Sequence, residues 1–161
     1  MKILIVYCSL EGNTKYVAEK IAEQTGADLL CLEPEKAYPT GKVTKYLWGG
    51  KGAVMGDTPE LKPYTADLSE YEMIVFGTPV WASTFTPPLR TFIKKHKDEL
   101  KSKKIALFAC SAGGSAEKCF ANLQEELGCS EITATLRLTD PAQRQRDQNN
   151  SEIENFCKKI M

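Results

Sequence analysis

The chain has 161 residues, 42% of them hydrophobic, and its 21 basic and 21 acidic side chains balance to a formal charge of zero. That length suits one domain spanning 1–161, with a core that needs no covalent staples, and the composition argues against disorder. A neutral total gives no electrostatic basis for binding nucleic acid or an acidic membrane surface, and no run of roughly 18 apolar residues is present to span a bilayer.

From the N-terminus, Ile3 to Tyr7 is a continuous apolar run closed by a polar loop, the pattern of a strand buried on both faces. Thr14 to Thr25 reads as a helix with Val17, Ala18, Ile21 and Ala22 on one face, and Ala27 to Leu32 as a second short strand. Residues 34–70 are the least regular stretch. Gly41, Gly49, Gly50, Gly52 and Gly56 interrupt any long helix, a short helix fits Lys42 to Leu47, and the length suggests an extra lobe. Met73 to Gly77 is a third strand. Thr86 and Pro87 open the next helix as cap and first residue, with Leu89, Phe92, Ile93 and His96 at core spacing. Lys104 to Cys110 is a fourth strand and Ser115 to Leu127 a helix. Ile132 to Leu138 alternates as an outer strand does, and a helix runs from about Asp147 to Ile160.

Five strands separated by helices predict an α/β fold, a parallel sheet covered by helices on both faces; in a sheet of order 2-1-3-4-5 the reversal falls between strands one and three. Such sheets bind ligands beyond the carboxyl ends of their strands, where the strand order reverses. That directs attention to the loops after the first, third and fourth strands.

The first loop, Cys8-Ser9-Leu10-Glu11-Gly12-Asn13-Thr14, leads directly into a helix. Gly12 lets backbone amides turn toward a ligand, Ser9, Asn13 and Thr14 add polar side chains, and the helix N-terminus contributes unpaired N–H groups. Together these suit a phosphate, although a plain capped turn has the same appearance. The motif lacks the Gly-Lys-Ser/Thr of a Walker loop. The second loop, Thr78-Pro79-Val80-Trp81, places an indole among small residues, where it can stack on a flat heteroaromatic ring or fill a gap beside the following helix. The third, Ser111-Ala112-Gly113-Gly114, permits close approach to a ligand edge and equally suits a tight turn.

Ser9-x-x-Gly12-Asn13-Thr14 followed by Gly77-Thr78-Pro79-Val80-Trp81 resembles the flavodoxin family and its FMN reductase relatives across essentially the whole chain. The resemblance implies an α/β, flavodoxin-like three-layer sandwich around a five-stranded parallel sheet of order 2-1-3-4-5, and FMN as cofactor. It places Ser9, Glu11, Gly12, Asn13 and Thr14 around the phosphate, Thr78, Pro79, Val80 and Trp81 against the ring, and Ser111, Gly113 and Gly114 at its pyrimidine side. It further implies electron transfer as a carrier or small oxidoreductase, monomeric or homodimeric, working with a redox protein or a small-molecule donor or acceptor. An NAD(P)H- or quinone-linked reductase is the alternative.

Three departures qualify the likeness. Glu11 stands where the family usually has a hydroxyl, so its side chain should face solvent. The chain is neutral where electron-carrier flavodoxins are acidic. No glycine lies between Trp81 and Pro87, so positive φ at Ala82 or Ser83 would cost roughly 1–2 kcal/mol, which predicts a preference for two-electron chemistry.

The remaining chemistry-bearing residues suggest little. Cys8, Cys31, Cys110, Cys119, Cys129 and Cys157 form no Cys-x-x-Cys pair and have only His96 to join them, so they read as free thiols rather than metal ligands. Cys8 and Asp140-Pro141 resemble features of low-molecular-weight tyrosine phosphatases, but Thr14 stands where that chemistry needs an arginine. A cofactor-free phosphatase-like or binding domain is therefore a distant alternative, and no residue stands out as a catalytic acid or base. Trp48 fits local packing better than a flap over a cofactor, and His96 fits packing or surface. The opening Met1 to Tyr7 is too short for a signal-peptide core, so a cytoplasmic location is expected.

Overall fold

The computed structural model describes residues 1–38 and 51–161. Its centre is a parallel sheet of five strands in the order β2-β1-β3-β4-β5. These are β1 (Ile3–Tyr7), β2 (Asp28–Cys31), β3 (Met73–Pro79), β4 (Lys104–Ser111) and β5 (Ala134–Thr139). The helices are α1 (Asn13–Thr25), α2 (Pro87–Lys95), the single turn α3 (Lys97–Leu100), α4 (Glu117–Leu127) and α5 (Asp147–Ile160).

The apolar run of β1 is continuous because both faces of that strand are covered. Ile3, Ile5 and Tyr7 pack into one layer with Val17, Ala18 and Ile21 of α1 and Ile153, Phe156, Cys157 and Ile160 of α5. Leu4 and Val6 point the other way, into a layer with Leu89, Phe92 and Ile93 of α2 and Cys119, Leu123 and Leu127 of α4. In β5 only one face is covered: Ala134, Leu136 and Leu138 are buried while Thr135 and Arg137 are exposed, which explains its alternation. β2, at the opposite edge, is mostly exposed.

His96 ends α2 rather than continuing it, although it holds its predicted packing position: its ring lies 4.5 Å from that of Phe92. Nε2 shares a 2.9 Å hydrogen bond with the Tyr64 hydroxyl, and Nδ1 lies 2.8 Å from Glu99 Oε1.

The long connection after β2 is pinned where its ends meet. Glu35 N donates to Glu60 O at 2.8 Å and Lys62 N to Glu33 O at 2.7 Å, around an antiparallel bridge from Pro34 to Leu61. Residues 51–55 are helical, and this segment is held against α2 by Arg90, whose guanidinium donates to the carbonyls of Ala53 and Asp57 at 3.4 and 3.5 Å. The helix expected over 42–47 and Trp48 lie outside the described residues. No helix among the described residues is long and apolar enough to cross a membrane.

Candidate functional site

Strand order reverses between β1 and β3, and there the loops after β1, β3, β4 and β5 converge. They enclose about 60 Å³, lined by Ser9, Leu10, Glu11, Asn13, Thr14, Pro79, Val80, Trp81, Cys110, Ser111, Ala112 and Asp140. That is room for a phosphate-sized group. Eight of the expected residues meet here. Gly12, Thr78, Gly113 and Gly114 do not line the enclosed space.

The phosphate-loop half is built by the start of α1. Gly12, at φ 94°, turns the chain into the helix, and the first-turn amides of Asn13 and Thr14 have no intrahelical acceptor, as at any helix start. Ser9 Oγ accepts from Lys15 N at 3.1 Å, which fixes the loop on the helix while leaving the serine hydroxyl proton to donate elsewhere. Asn13 Oδ1 accepts from Ala142 N at 2.9 Å. Its carbonyl therefore ties the loop after β5 to the loop after β1, and only its NH₂ is left as a donor. Glu11 is exposed and borders the pocket.

Thr14 and Ser111 carry the chemical signal of the site. Both are buried, at 1% and 7% exposure, and among the described residues Thr14 Oγ1 and Ser111 Oγ have no hydrogen-bond partner. A buried hydroxyl left unpaired costs roughly 1–3 kcal/mol, and a ligand that accepts from it removes that penalty. The Cys110 thiol beside Thr14 is a weak substitute. Burial pushes that thiol up to about 12, with the Thr14 hydroxyl opposing the rise.

The second loop departs from expectation in two ways. Thr78 is fully buried and structural: its Oγ1 accepts from Thr86 N at 3.1 Å and donates to Pro79 O at 2.8 Å. Thr86 holds the cap position of α2 without a side-chain capping bond: Pro87 and Pro88 have no N–H to satisfy, Leu89 N donates to Thr86 O at 3.2 Å, and Thr78 anchors the cap residue's own N–H. Trp81 is only 5% exposed. One side of it is taken by Tyr38, edge-on at 5.2 Å between ring centroids and 86° between planes. Sequence reasoning missed Tyr38, which follows β2 and carries no local signal.

The tight turn after Trp81 overturns an expectation. Ala82 and Ser83 both have positive φ, 48° and 63°, and Trp81 and Thr84 exchange two 2.9 Å backbone hydrogen bonds around them. This is the pattern of a type I′ turn, normally made with Asn-Gly. The flanking bonds, burial of Trp81 and Thr84, and the 3.0 Å bond from Asn122 Nδ2 to Thr84 Oγ1 over-determine it. The backbone cost is already present in the resting turn, so it no longer argues for two-electron chemistry. Ala82→Asn combined with Ser83→Gly should raise stability by about 1 kcal/mol, since left-handed φ costs a side chain roughly 1–2 kcal/mol and unfolded-state glycine entropy returns about half of the gain. Thermal denaturation tests this, and an unchanged or lower Tm would mean that the turn is not strained.

In the third loop, Gly113 and Gly114 form an exposed lip, and Arg137 of β5 fixes it by donating to Gly114 O at 2.6 Å. Asp140, another residue that sequence reasoning left out of the site, lines the pocket at φ 40° and donates its N–H to Ser111 O at 3.0 Å. The available signal was its position just past the end of β5.

Cys8 lies beneath the first loop, buried at 5% exposure. Burial pushes its thiol up to about 12, against a smaller opposing contribution from Thr86, so at neutral pH it is not the thiolate that phosphatase chemistry requires. Among the described residues no group of His, Cys, Asp and Glu could hold a metal ion.

A helix N-terminus with unpaired amides, two hydroxyls without a partner among the described residues and an indole meet at one sheet edge of a doubly wound α/β sandwich, a combination suited to a nucleotide-type anion. The family model described as Flavodoxin matches residues 2–139, and the chain belongs to the flavodoxin family. Among solved structures it is similar to a flavoprotein from Lactobacillus acidophilus, determined in complex with FMN. The two are 23% identical, with a TM-score of 0.77 over 96% of this chain and 97% of that one. It is also similar to a flavodoxin from the domain Archaea (20% identity, TM-score 0.62, 99% and 96% of the chains). An oxidised flavodoxin from Bacillus cereus is a third such structure (16% identity, TM-score 0.59, 99% and 97%).

Proposed function

We propose that the chain binds FMN at this pocket and transfers electrons through it, as a carrier or small oxidoreductase working with a redox protein or a small-molecule donor or acceptor. The observation that carries the reading is the pair of buried, unpartnered hydroxyls of Thr14 and Ser111 in one pocket at the start of α1. The family membership and the FMN held by the Lactobacillus acidophilus flavoprotein support it.

The amides of Gly12, Asn13 and Thr14, with the hydroxyls of Ser9 and Thr14, would hold the phosphate. Glu11 would contribute its backbone amide. Pro79, Val80 and Trp81 would exclude water from the ring, and Ser111 with the Gly113-Gly114 lip would border its polar edge. Thr78 would act behind them by fixing the loop to α2. FMN, when bound, supplies the redox chemistry; the protein supplies position and surroundings. A cytoplasmic location belongs to the same reading, in keeping with the free state of all six cysteines.

Reconstitution tests the proposal. Protein mixed with FMN and desalted should be yellow, absorbing near ~450 nm, and failure to retain FMN would defeat it. Gly113→Ala sharpens the test. An added Cβ there would meet nothing within 4 Å, so folding does not need this glycine. Stability should change by less than about 0.5 kcal/mol while FMN binding weakens several-fold. Unchanged FMN affinity would remove Gly113 from the site.

A further inference from the structure

On the far side of the 81–84 turn lies a second and larger cleft of about 640 Å³, between α2, α4 and the segment around Ala53. Its volume is in the range of small-molecule sites. Its floor is Arg90, 8% exposed and stacked 4.6 Å above the Phe85 ring. A guanidinium has five N–H donors. Among the described residues this one reaches only Glu126, Ala53 O and Asp57 O, all at 3.4–3.5 Å, the long end of hydrogen bonding. A buried cation with donors to spare is an unmet demand for an acceptor.

The rim adds to that demand. Lys94, Lys97 and Lys118 join Arg90 against the carboxylates of Glu125 and Glu126, a surplus of two positive charges in a chain whose total is zero. Glu126 is already engaged by Arg90, and Lys97 Nζ turns toward the Glu126 carbonyl at 3.4 Å. Lys94 and Lys118 are exposed. Val54, 67% exposed, gives the cleft an apolar side, while Phe85 lies buried beneath the Arg90 guanidinium. Ala82 and Thr84 form its boundary with the turn that carries Trp81, so an occupant would sit against the opposite side of that turn.

We infer that this cleft is a second ligand site, separate from the strand-end pocket, for an organic anion with an apolar body and a carboxylate, sulfonate or phosphate head. The head meets Lys94, Lys118 and the spare donors of Arg90, while the body lies against the exposed side chain of Val54. The site is formed by protein groups alone and does not depend on a bound flavin.

Naphthalene sulfonate is a suitable probe, with uncharged naphthalenemethanol as control. It is titrated into the FMN-loaded protein, and into the protein without FMN, while backbone amide NMR signals are followed. Saturable binding is expected, with shifts at Ala82, Lys94, Lys118 and Asn122 and weaker binding of the control. Lys94→Glu with Lys118→Glu reverses two exposed charges and should weaken the probe about tenfold without altering FMN uptake. Absence of saturation by about 10 mM, shifts centred on Ser9 to Thr14 instead, or unchanged affinity in the double variant would overturn the inference. Because the protein without FMN reads the cleft by itself, failure to hold flavin and failure of this site are distinct results.

Discussion

Gly77→Ala should lower the unfolding free energy by about 3 kcal/mol, the upper end of what overpacking a rigid core costs. Gly77 sits in β3 directly opposite Phe108 of β4, and a Cβ at this position would overlap three carbons of the Phe108 ring. The ring cannot swing to solvent: Phe108 is fully buried, and its layer also holds Val75, Ala106, Cys110 and Leu136. The strand cannot retreat either, because Gly77 O accepts from Cys8 N at 3.3 Å and its neighbours are paired on both sides. Urea denaturation measures the loss, and a change under about 1 kcal/mol would mean that the ring finds another rotamer. Adding Phe108→Leu should recover much of the loss, because the flat ring that Gly77 accommodates is then gone. This strongly non-additive pair would distinguish a steric cause from a general weakening of β3. The same displacement would reach the site, since Thr78 to Trp81 follow without a break.

The contrast between Gly77 and its flanking residues shows what a single sequence can and cannot display. The strands were legible because burial leaves a periodic trace. β1 is apolar throughout because helices cover both of its faces, β5 alternates because one face is open, and the α5 boundaries follow from Ile153, Phe156, Cys157 and Ile160 on one stripe. The order of the strands came with the resemblance to the flavodoxin family, because the rule for βαβ connections fixes the hand of each crossover and not which strands are neighbours. The candidate pocket was legible where its lining comes from one local loop, as at Ser9 and Thr14.

It was not legible where distant segments meet. Tyr38 reaches Trp81 from the other side of the strand-order reversal, and Asn13 bonds to Ala142, 129 positions away. Nothing in the periodicity of either segment records these contacts. The Ala82-Ser83 turn was illegible for the opposite reason: local preference argues against it, and only the tertiary bonds of Trp81 and Thr84 impose it. Arg90 reads in the sequence as one more basic residue on a lysine-rich helix, yet it is buried and anchors the 51–57 segment.

Thr14 provides the other large expected effect, and it has a distinctive sign pattern. If the proposed FMN site is correct, Thr14→Ala should weaken FMN binding about ten- to a hundredfold, corresponding to loss of a charge-assisted hydrogen bond of roughly 1.5–3 kcal/mol. The same change should leave the flavin-free protein no less stable than expected for loss of a buried methyl group, because the hydroxyl it removes has no partner there. Thr14→Val separates the two contributions. It keeps the shape, removes only the hydroxyl, and should hold or raise the stability of the flavin-free protein while weakening FMN as much as the alanine variant does. Glu11→Gln is the control: its side chain is exposed at the loop surface, so FMN affinity should change by less than about threefold. Fluorescence titration of FMN, which is quenched on binding, and denaturation of the flavin-free protein supply the two readings. Equal effects of Thr14→Val and Glu11→Gln on FMN would place the phosphate elsewhere. A Thr14→Val protein that loses both stability and FMN would mean that the hydroxyl serves the fold rather than the ligand.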